Sequence, residues 1–175
     1  MNTASRTGLA PVAIAVAPNG GRRSKADHPA LPITSGELAT VAAGCADAGA
    51  AMIHVHVRDA QGRHLLDAET YRRSIAAIQR AAGDRLLIQI TSESIGAYSP
   101  AEQMAVVKAV RPEAVSLGLR ELVPDAASER EFARFVSWLS REHITPQIIL
   151  YQPAEAVRLA GLMQRGLIPW KSVPV

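Results

Sequence analysis

The sequence is short of the residues that mark several classes of protein. Its one cysteine, Cys45, lies in an alanine-rich helical pattern, so no disulfide forms within the chain and a reducing, cytoplasmic location is expected. Aromatic residues make up only 4%, too few for the base-stacking surfaces of single-stranded nucleic-acid binders. The apolar run 9–17 is too short to span a membrane, and a polar turn follows it instead of a cleavage site. Neither a nucleic-acid nor a membrane partner is therefore expected.

Apolar residues are plentiful by contrast. At 175 residues, with 48% hydrophobic and 20% charged side chains, the chain is long enough for one well-buried domain and too apolar for disorder. We therefore expect a single domain over residues 1–175. The net charge of +3 comes partly from Arg22, Arg23 and Lys25, which either meet a phosphate-bearing ligand or face solvent, and solvent is the simpler interpretation.

Strand and helix patterns alternate along the chain. Capping signals open three of the predicted helices: Thr34 with Glu37, Asp67, and Ser99 with Glu102. Five apolar runs predict the strands, at residues 12–17, 51–57, 86–91, 114–119 and 145–151. Five such units predict an α/β fold with a parallel sheet, because each return to a parallel neighbour needs a crossover of this size.

Two architectures satisfy this pattern. A doubly wound sheet of five strands would be complete, whereas a (β/α)8 barrel of about 250 residues would lack about three units. Periodicity alone does not choose between them. The first loop has no G-x-G-x-x-G pattern, so a dinucleotide-binding version of the doubly wound sheet is poorly supported.

The second predicted strand carries the clearest chemical signal. Side chains alternate between the two faces of a strand, so His54 and His56 share one face, within reach of one divalent cation. Two histidines alone do not make a metal site, and both could simply hydrogen-bond to neighbours. The polar turn that begins at Arg58, a further candidate site residue, places them near the carboxyl end of the strand. Ligands of parallel α/β folds bind at that end.

Other polar residues follow predicted strands. Asn19, Thr91 and Ser116 each lie where an apolar strand runs into a polar turn, so they should converge on the rim that carries the histidines and are the candidate substrate-binding residues. Glu121 follows the fourth strand and is a conceivable third metal ligand. Its neighbours Arg120 and Leu122 favour an ion pair at the rim instead.

Longer stretches resemble a known family, the β-keto acid cleavage enzymes, whose founding activity is 3-keto-5-aminohexanoate cleavage. The resemblance rests on residues 17–23 (APNGGRR), 28–34 (HPALPIT) and 48–59 (AGAAMIHVHVRD). Shorter pieces follow in the family's order and spacing: 66–67 (LD), 89–91 (QIT), 111–113 (RPE), 116–117 (SL), 120–122 (REL) and 146–147 (PQ).

This resemblance implies a zinc-dependent (β/α)8 TIM barrel of which about the first five units are present. Family members convert a β-keto acid and acetyl-CoA to acetoacetate and an acyl-CoA, and full-length relatives are expected to be homo-oligomers. His54 and His56 match the family's two metal-binding histidines. Thr91 and Ser116 match family hydroxyl groups that donate to substrate, although either could instead cap its own loop.

The sequence also departs from the family. The family's glutamate ligand, with the arginine and aspartate that assist deprotonation, belongs to late strands that match nothing up to Val175. Some members carry a glutamate in the first loop where this chain has Arg22. This indicates that the end of the substrate bound there is chemically different. An incomplete barrel would expose the edges of its first and fifth strands and should be unstable or associate. The alternatives are a non-catalytic remnant with a weak two-histidine site, or a metal-dependent hydrolase, although amidohydrolases carry their H-x-H on the first strand.

Overall fold

A computed structural model describes residues 12–175. Strands and helices alternate through most of this range. In chain order the strands are β1 (Ala15–Val16), β2 (Met52–Val55), β3 (Val57–Arg58), β4 (His64–Leu65), β5 (Leu87–Thr91), β6 (Ala114–Gly118) and β7 (Thr145–Ile149). The helices are α1 (Ser35–Asp47), α2 (Ala68–Ala82), α3 (Pro100–Val110), α4 (Leu119–Leu122), α5 (Glu129–Arg141) and α6 (Pro153–Gln164).

Five of the strands form one parallel sheet in the order β1-β2-β5-β6-β7. The predicted α/β class, with a parallel sheet, is confirmed. Neighbours in the sheet are also successive along the chain, apart from β3 and β4, which form a separate hairpin. A doubly wound sheet would place its first strand inside the order, so that alternative is wrong.

The two faces of this sheet differ in polarity. One face is apolar and packs under the helices, where α1 and α2 contribute Leu38 and Ile78 to one cluster and α5 contributes Phe132 and Phe135 to the other. The strand residues of this face are Ile53, Val55, Ile88, Ile90, Val115, Leu117 and Ile148. The opposite face is here called the polar face. On it His54 pairs with Gln89, Thr91 pairs with Ser116, and Ser116 pairs with Gln147 across neighbouring strands.

Local signals set the starts of three helices as predicted. Thr34 and Glu37 form a reciprocal capping box at α1, and Ser99 and Glu102 form another at α3. The Asp67 carboxylate accepts the backbone N–H of Thr70 at 2.7 Å and so caps α2. These side chains satisfy backbone groups that a helix end leaves unpaired, which explains why the sequence located them well.

The second strand is shorter than predicted. Instead of running from 51 to 57, β2 ends at Val55, and Val57–Arg58 pairs antiparallel with His64–Leu65. The turn between them closes because the Asp59 carboxylate accepts the backbone N–H groups of Gln61 and Arg63, both at 2.9 Å. Gly62 supplies the positive φ, 75°, that the turn needs. This hairpin was not predicted.

The ends of the sheet also differ from expectation. The first strand, predicted over 12–17, has regular pairing only at Ala15–Val16, and the start of the apolar run 9–17 lies outside the described residues. At the opposite edge the backbone N–H of Ile148 donates to the Pro174 carbonyl at 2.8 Å. Trp170 and Val173 pack against the nearby core. The edge of β7, expected to be open, is therefore partly covered by the segment that follows α6.

Candidate metal and substrate site

The two histidines of the H-x-H motif meet on the polar face. Their Nε2 atoms lie 3.0 Å apart, and their rings are edge-on with centroids 5.0 Å apart. Two nitrogen ligands at about 2.0–2.1 Å from one tetrahedral zinc ion lie about 3.3 Å from each other. The spacing of the two Nε2 atoms therefore fits two ligands of a single metal ion.

Gln89 determines which nitrogen of His54 carries the proton. Its amide oxygen lies 2.7 Å from His54 Nδ1, and its amide nitrogen donates to Gln147 Oε1 at 3.1 Å. An amide oxygen only accepts hydrogen bonds, so the proton of neutral His54 sits on Nδ1. Nε2 of His54 then holds a lone pair directed at His56, as a metal ligand requires.

Burial keeps both rings neutral. Burial, with smaller effects of His54, His64 and the Arg58 guanidinium, lowers the pKa of His56 to about 3. The pKa of His54 is also lowered by burial, against opposing effects of the Gln89 hydrogen bond and the Glu93 carboxylate. Neutral imidazole is the form that binds metal ions, so the site needs no deprotonation at neutral pH.

In the part of the chain that the structure describes, no third metal ligand lies beside the two histidines. Among residues 12–175, no three histidine, cysteine, aspartate or glutamate side chains are placed to hold one metal ion. The Glu121 carboxylate accepts the backbone N–H of Ser94 at 2.7 Å. The ion pair expected at this rim forms between Arg120 and Glu155, not between Arg120 and Glu121, so that prediction is wrong in its partner.

Thr91 and Ser116 meet across the β5–β6 pair. The Ser116 hydroxyl donates to Thr91 Oγ1 at 2.9 Å, and the backbone N–H of Glu93 donates to the same oxygen at 3.0 Å. Both side chains are buried. Because Thr91 Oγ1 accepts two hydrogen bonds, its own hydroxyl hydrogen remains available to a further acceptor.

Asn19 and Arg58 are engaged with backbone. The Asn19 amide donates to the His56 carbonyl at 2.8 Å and accepts the His56 N–H at 3.3 Å, so it fixes the chain next to the second histidine. The buried Arg58 guanidinium donates to the carbonyls of Gly20, Gly62 and Arg23. Both side chains thus hold the first loop against the strand that carries the histidines.

The sequence did not indicate that Glu93 or His64 lies at this site, and it gave Gln89 no role of its own. Gln89 occurs in residues 89–91, a stretch that matches the family. It lies two residues before Thr91, so the two side chains lie on one face of the strand. Glu93 lies in the polar cluster after β5, two residues beyond Thr91. His64 carries no local signal, because the unpredicted hairpin brings it to His56, with ring centroids 5.6 Å apart.

These features define an α/β protein with a two-histidine site at the carboxyl end of a parallel sheet. A sequence profile described as beta-keto acid cleavage enzyme matches residues 11–175. The chain belongs to that family. No helix within residues 12–175 combines the length and apolar character needed to cross a membrane.

Curated relatives match parts of the chain. The 3-keto-5-aminohexanoate cleavage enzyme of Fusobacterium nucleatum is 35% identical over 77 residues, which cover 44% of this chain and 28% of that protein. The enzyme of the same name from Acetoanaerobium sticklandii is 30% identical over 98 residues, 56% of this chain and 35% of that protein. The 3-oxoadipate:acetyl-CoA acetyltransferase of Cupriavidus necator is 26% identical over 163 residues, 90% of this chain and 56% of that protein. The chain thus spans between about a quarter and just over half of these relatives.

Solved structures of ObcA share the fold. The apo structure superposes with a TM-score of 0.59 at 19% identity, covering 79% of this chain and 34% of ObcA. The ternary complex of ObcA with a C4-CoA adduct and oxalate gives a TM-score of 0.60 at 17% identity, with 79% and 35% covered. At these identities the likeness concerns the fold.

Proposed function

We propose that this chain forms part of a zinc-dependent β-keto acid cleavage enzyme that converts a β-keto acid and acetyl-CoA to acetoacetate and an acyl-CoA. The observation that carries the proposal is the pair of Nε2 atoms 3.0 Å apart, with Gln89 holding His54 in the metal-binding tautomer. Family membership and the acetyl-CoA named for the Cupriavidus necator relative support the co-substrate. The protein is proposed to act in the cytoplasm.

The fold supports the same proposal. Parallel strands in consecutive order, with a polar face at their carboxyl ends, are the arrangement of the first units of a TIM barrel. In that architecture the polar face lines the barrel interior. The family's glutamate ligand, arginine and aspartate are proposed to come from further strands, outside residues 1–175, with oligomers formed by the complete barrel.

The described side chains take distinct roles in this proposal. His54 and His56 would hold the zinc ion, which would supply a Lewis acid for the keto oxygen and the carboxylate of the substrate. Thr91 donates its free hydroxyl hydrogen to a substrate oxygen, and Ser116 orients Thr91 by donating to it. Asn19 supports the site through its two hydrogen bonds to the His56 backbone.

The test compares residues 1–175 with a version extended by the family's remaining strands. With two metal ligands instead of three, residues 1–175 alone should bind zinc weakly and form little or no acetoacetate from β-keto acids and acetyl-CoA. The extended version should be active and should lose activity on His54→Ala or His56→Ala. A matched control is His143→Asn, because His143 is exposed at the opposite end of the sheet, with a φ of 58° that Asn tolerates.

Three results would contradict the proposal. Full activity of the extended His54→Ala and His56→Ala proteins would exclude the two-histidine metal site. Acetoacetate formation by residues 1–175 at the rate of the extended version would show that the further strands are dispensable. Zinc binding without activity in the extended version would favour the non-catalytic alternative.

A further inference from the structure

A second cluster of polar groups lies on the other side of the His56 ring from His54. Nδ1 of His56 is 3.8 Å from Glu93 Oε2, and the His64 ring packs edge-on against the His56 ring. His56 and His64 are both more than nine-tenths buried. Neither His56 Nδ1 nor His64 Nδ1 has a hydrogen-bond partner among the described residues. The proposed metal site uses only the opposite nitrogen of His56.

Gly21 shows that these three groups converge on one point. A Cβ atom at position 21 would lie 3.3 Å from Glu93 Oε2, His56 Nδ1 and His64 Nδ1. That spacing is tighter than ordinary van der Waals contact with each of them. The first loop therefore approaches the cluster closely because residue 21 has no side chain.

Hydrogen bonds determine where the protons of the cluster sit. His64 Nε2 lies 2.6 Å from the backbone carbonyl of Glu93 and donates to it, so Nδ1 of neutral His64 is an acceptor. His54 carries its proton on Nδ1, facing Gln89. In the 3.0 Å contact between the two Nε2 atoms the proton is therefore on Nε2 of His56.

This arrangement has a consequence for metal binding. A metal ion at Nε2 of His56 requires the proton of that ring to move to Nδ1, because a neutral imidazole carries only one. Nδ1–H would then be a buried donor in need of an acceptor. The two groups that face it, the Glu93 carboxylate and His64 Nδ1, are both acceptors.

We propose that Glu93 is a positioning residue that accepts the Nδ1–H of His56 in the metal-bound protein, with His64 beside it as a second acceptor. The gap of 3.8 Å has to close by about 1 Å to reach hydrogen-bond distance. Arg22 lies 3.8 Å from the other carboxylate oxygen, Oε1, on the exposed side of Glu93, which leaves Oε2 directed at His56. A carboxylate on the far nitrogen of a metal-bound histidine fixes its tautomer and orientation and raises its basicity.

This inference rests on the proposed function, since it needs zinc at His54 and His56. The test is the zinc dissociation constant of residues 1–175, measured by competition with a weak chromophoric chelator. Glu93→Leu should weaken zinc binding about 10- to 100-fold, the usual effect of losing such a partner. Glu93→Gln keeps an acceptor oxygen and should recover part of the loss. Glu69→Leu is the matched control, because Glu69 is exposed and pairs only loosely with Arg72.

A second variant leaves every charge in place. Gly21→Ala puts a methyl group against the three converging atoms and should weaken zinc binding by displacing Glu93 from His56. Gly44→Ala is its control, because a Cβ atom there meets no described residue within 4 Å. The proton position is read directly from imidazole ¹⁵N shifts of the zinc-bound parent, where Nδ1 of His56 should be protonated.

The outcomes separate the two proposals. Zinc binding by Glu93→Leu within twofold of the parent, together with loss of binding in His54→Ala, would overturn this inference alone. A zinc-bound His56 with its proton on Nε2 would overturn it even if the Glu93 variants failed to fold. Unchanged zinc binding in His54→Ala and His56→Ala would overturn the metal site itself.

Discussion

The guanidinium of Arg58 donates from Nε to the carbonyl oxygen of Gly20 at 3.1 Å, joining residues that are 38 positions apart. The contact fastens the first loop, with Asn19 and Gly21, to the chain that follows β2. Arg58 is buried and is held by backbone carbonyls from both sides of this contact. The Arg58 guanidinium therefore supports the site by holding backbone segments together through their carbonyl groups.

Arg58→Lys should lower the free energy of unfolding by about 1–3 kcal/mol, because an ammonium keeps the charge but not the fork that reaches several carbonyls. Urea denaturation measures the change. Arg63→Lys serves as the matched control: Arg63 makes an exposed pair with Asp59 in the same hairpin, and its replacement should cost less than about 1 kcal/mol. An equal loss of unfolding free energy in the two variants would show that the buried contacts of Arg58 stabilise the protein no more than the exposed pair of Arg63 does.

The hydrogen bond from His54 to Gln89 leads to a second prediction. Gln89→Leu leaves the half-buried Nδ1–H of His54 without its acceptor and should weaken zinc binding about 10- to 100-fold. Gln89→Glu retains an acceptor and should bind zinc more tightly than Gln89→Leu. Isothermal titration with zinc gives both values, with the exposed Gln79→Leu as control. Zinc binding by Gln89→Leu at the parent level would refute the assigned role.

Acidification should destabilise the metal-free protein. The folded-state pKa of His56 is lowered from 6.5 to about 3, so between these values the unfolded chain binds more protons than the folded one. The stability that comes from neutral, buried His56 is complete above pH 6.5 and is lost progressively as the pH falls toward 3. The pKa values of His54 and His64 are lowered in the same direction and add to the effect.

Denaturation in the presence of a chelator at several pH values checks this. The range from pH 6.5 to 5 is the most informative, because ordinary carboxylates, with pKa values near 4, contribute little there. His56→Asn should show a shallower loss of stability in that range than the parent protein. An unchanged slope in His56→Asn would count against burial of a neutral His56.

The sequence by itself determined the features that depend on near neighbours. The capping residues Thr34, Asp67 and Ser99 locate helix starts because each satisfies backbone groups within three positions. Alternation along a strand placed His54 and His56 on one face, and their Nε2 atoms do meet there. Repeated strand and helix units gave the α/β class with a parallel sheet.

Only the tertiary structure decided which groups surround the histidines. Gln89 reaches His54 because the register pairs those two positions across β2 and β5, and periodicity within a strand does not specify a register between strands. His64 reaches His56 through a hairpin, and Glu93 through the exit of a neighbouring strand. These contacts join residues far apart in the chain, so their positions depend on packing of the whole sheet and not on local sequence.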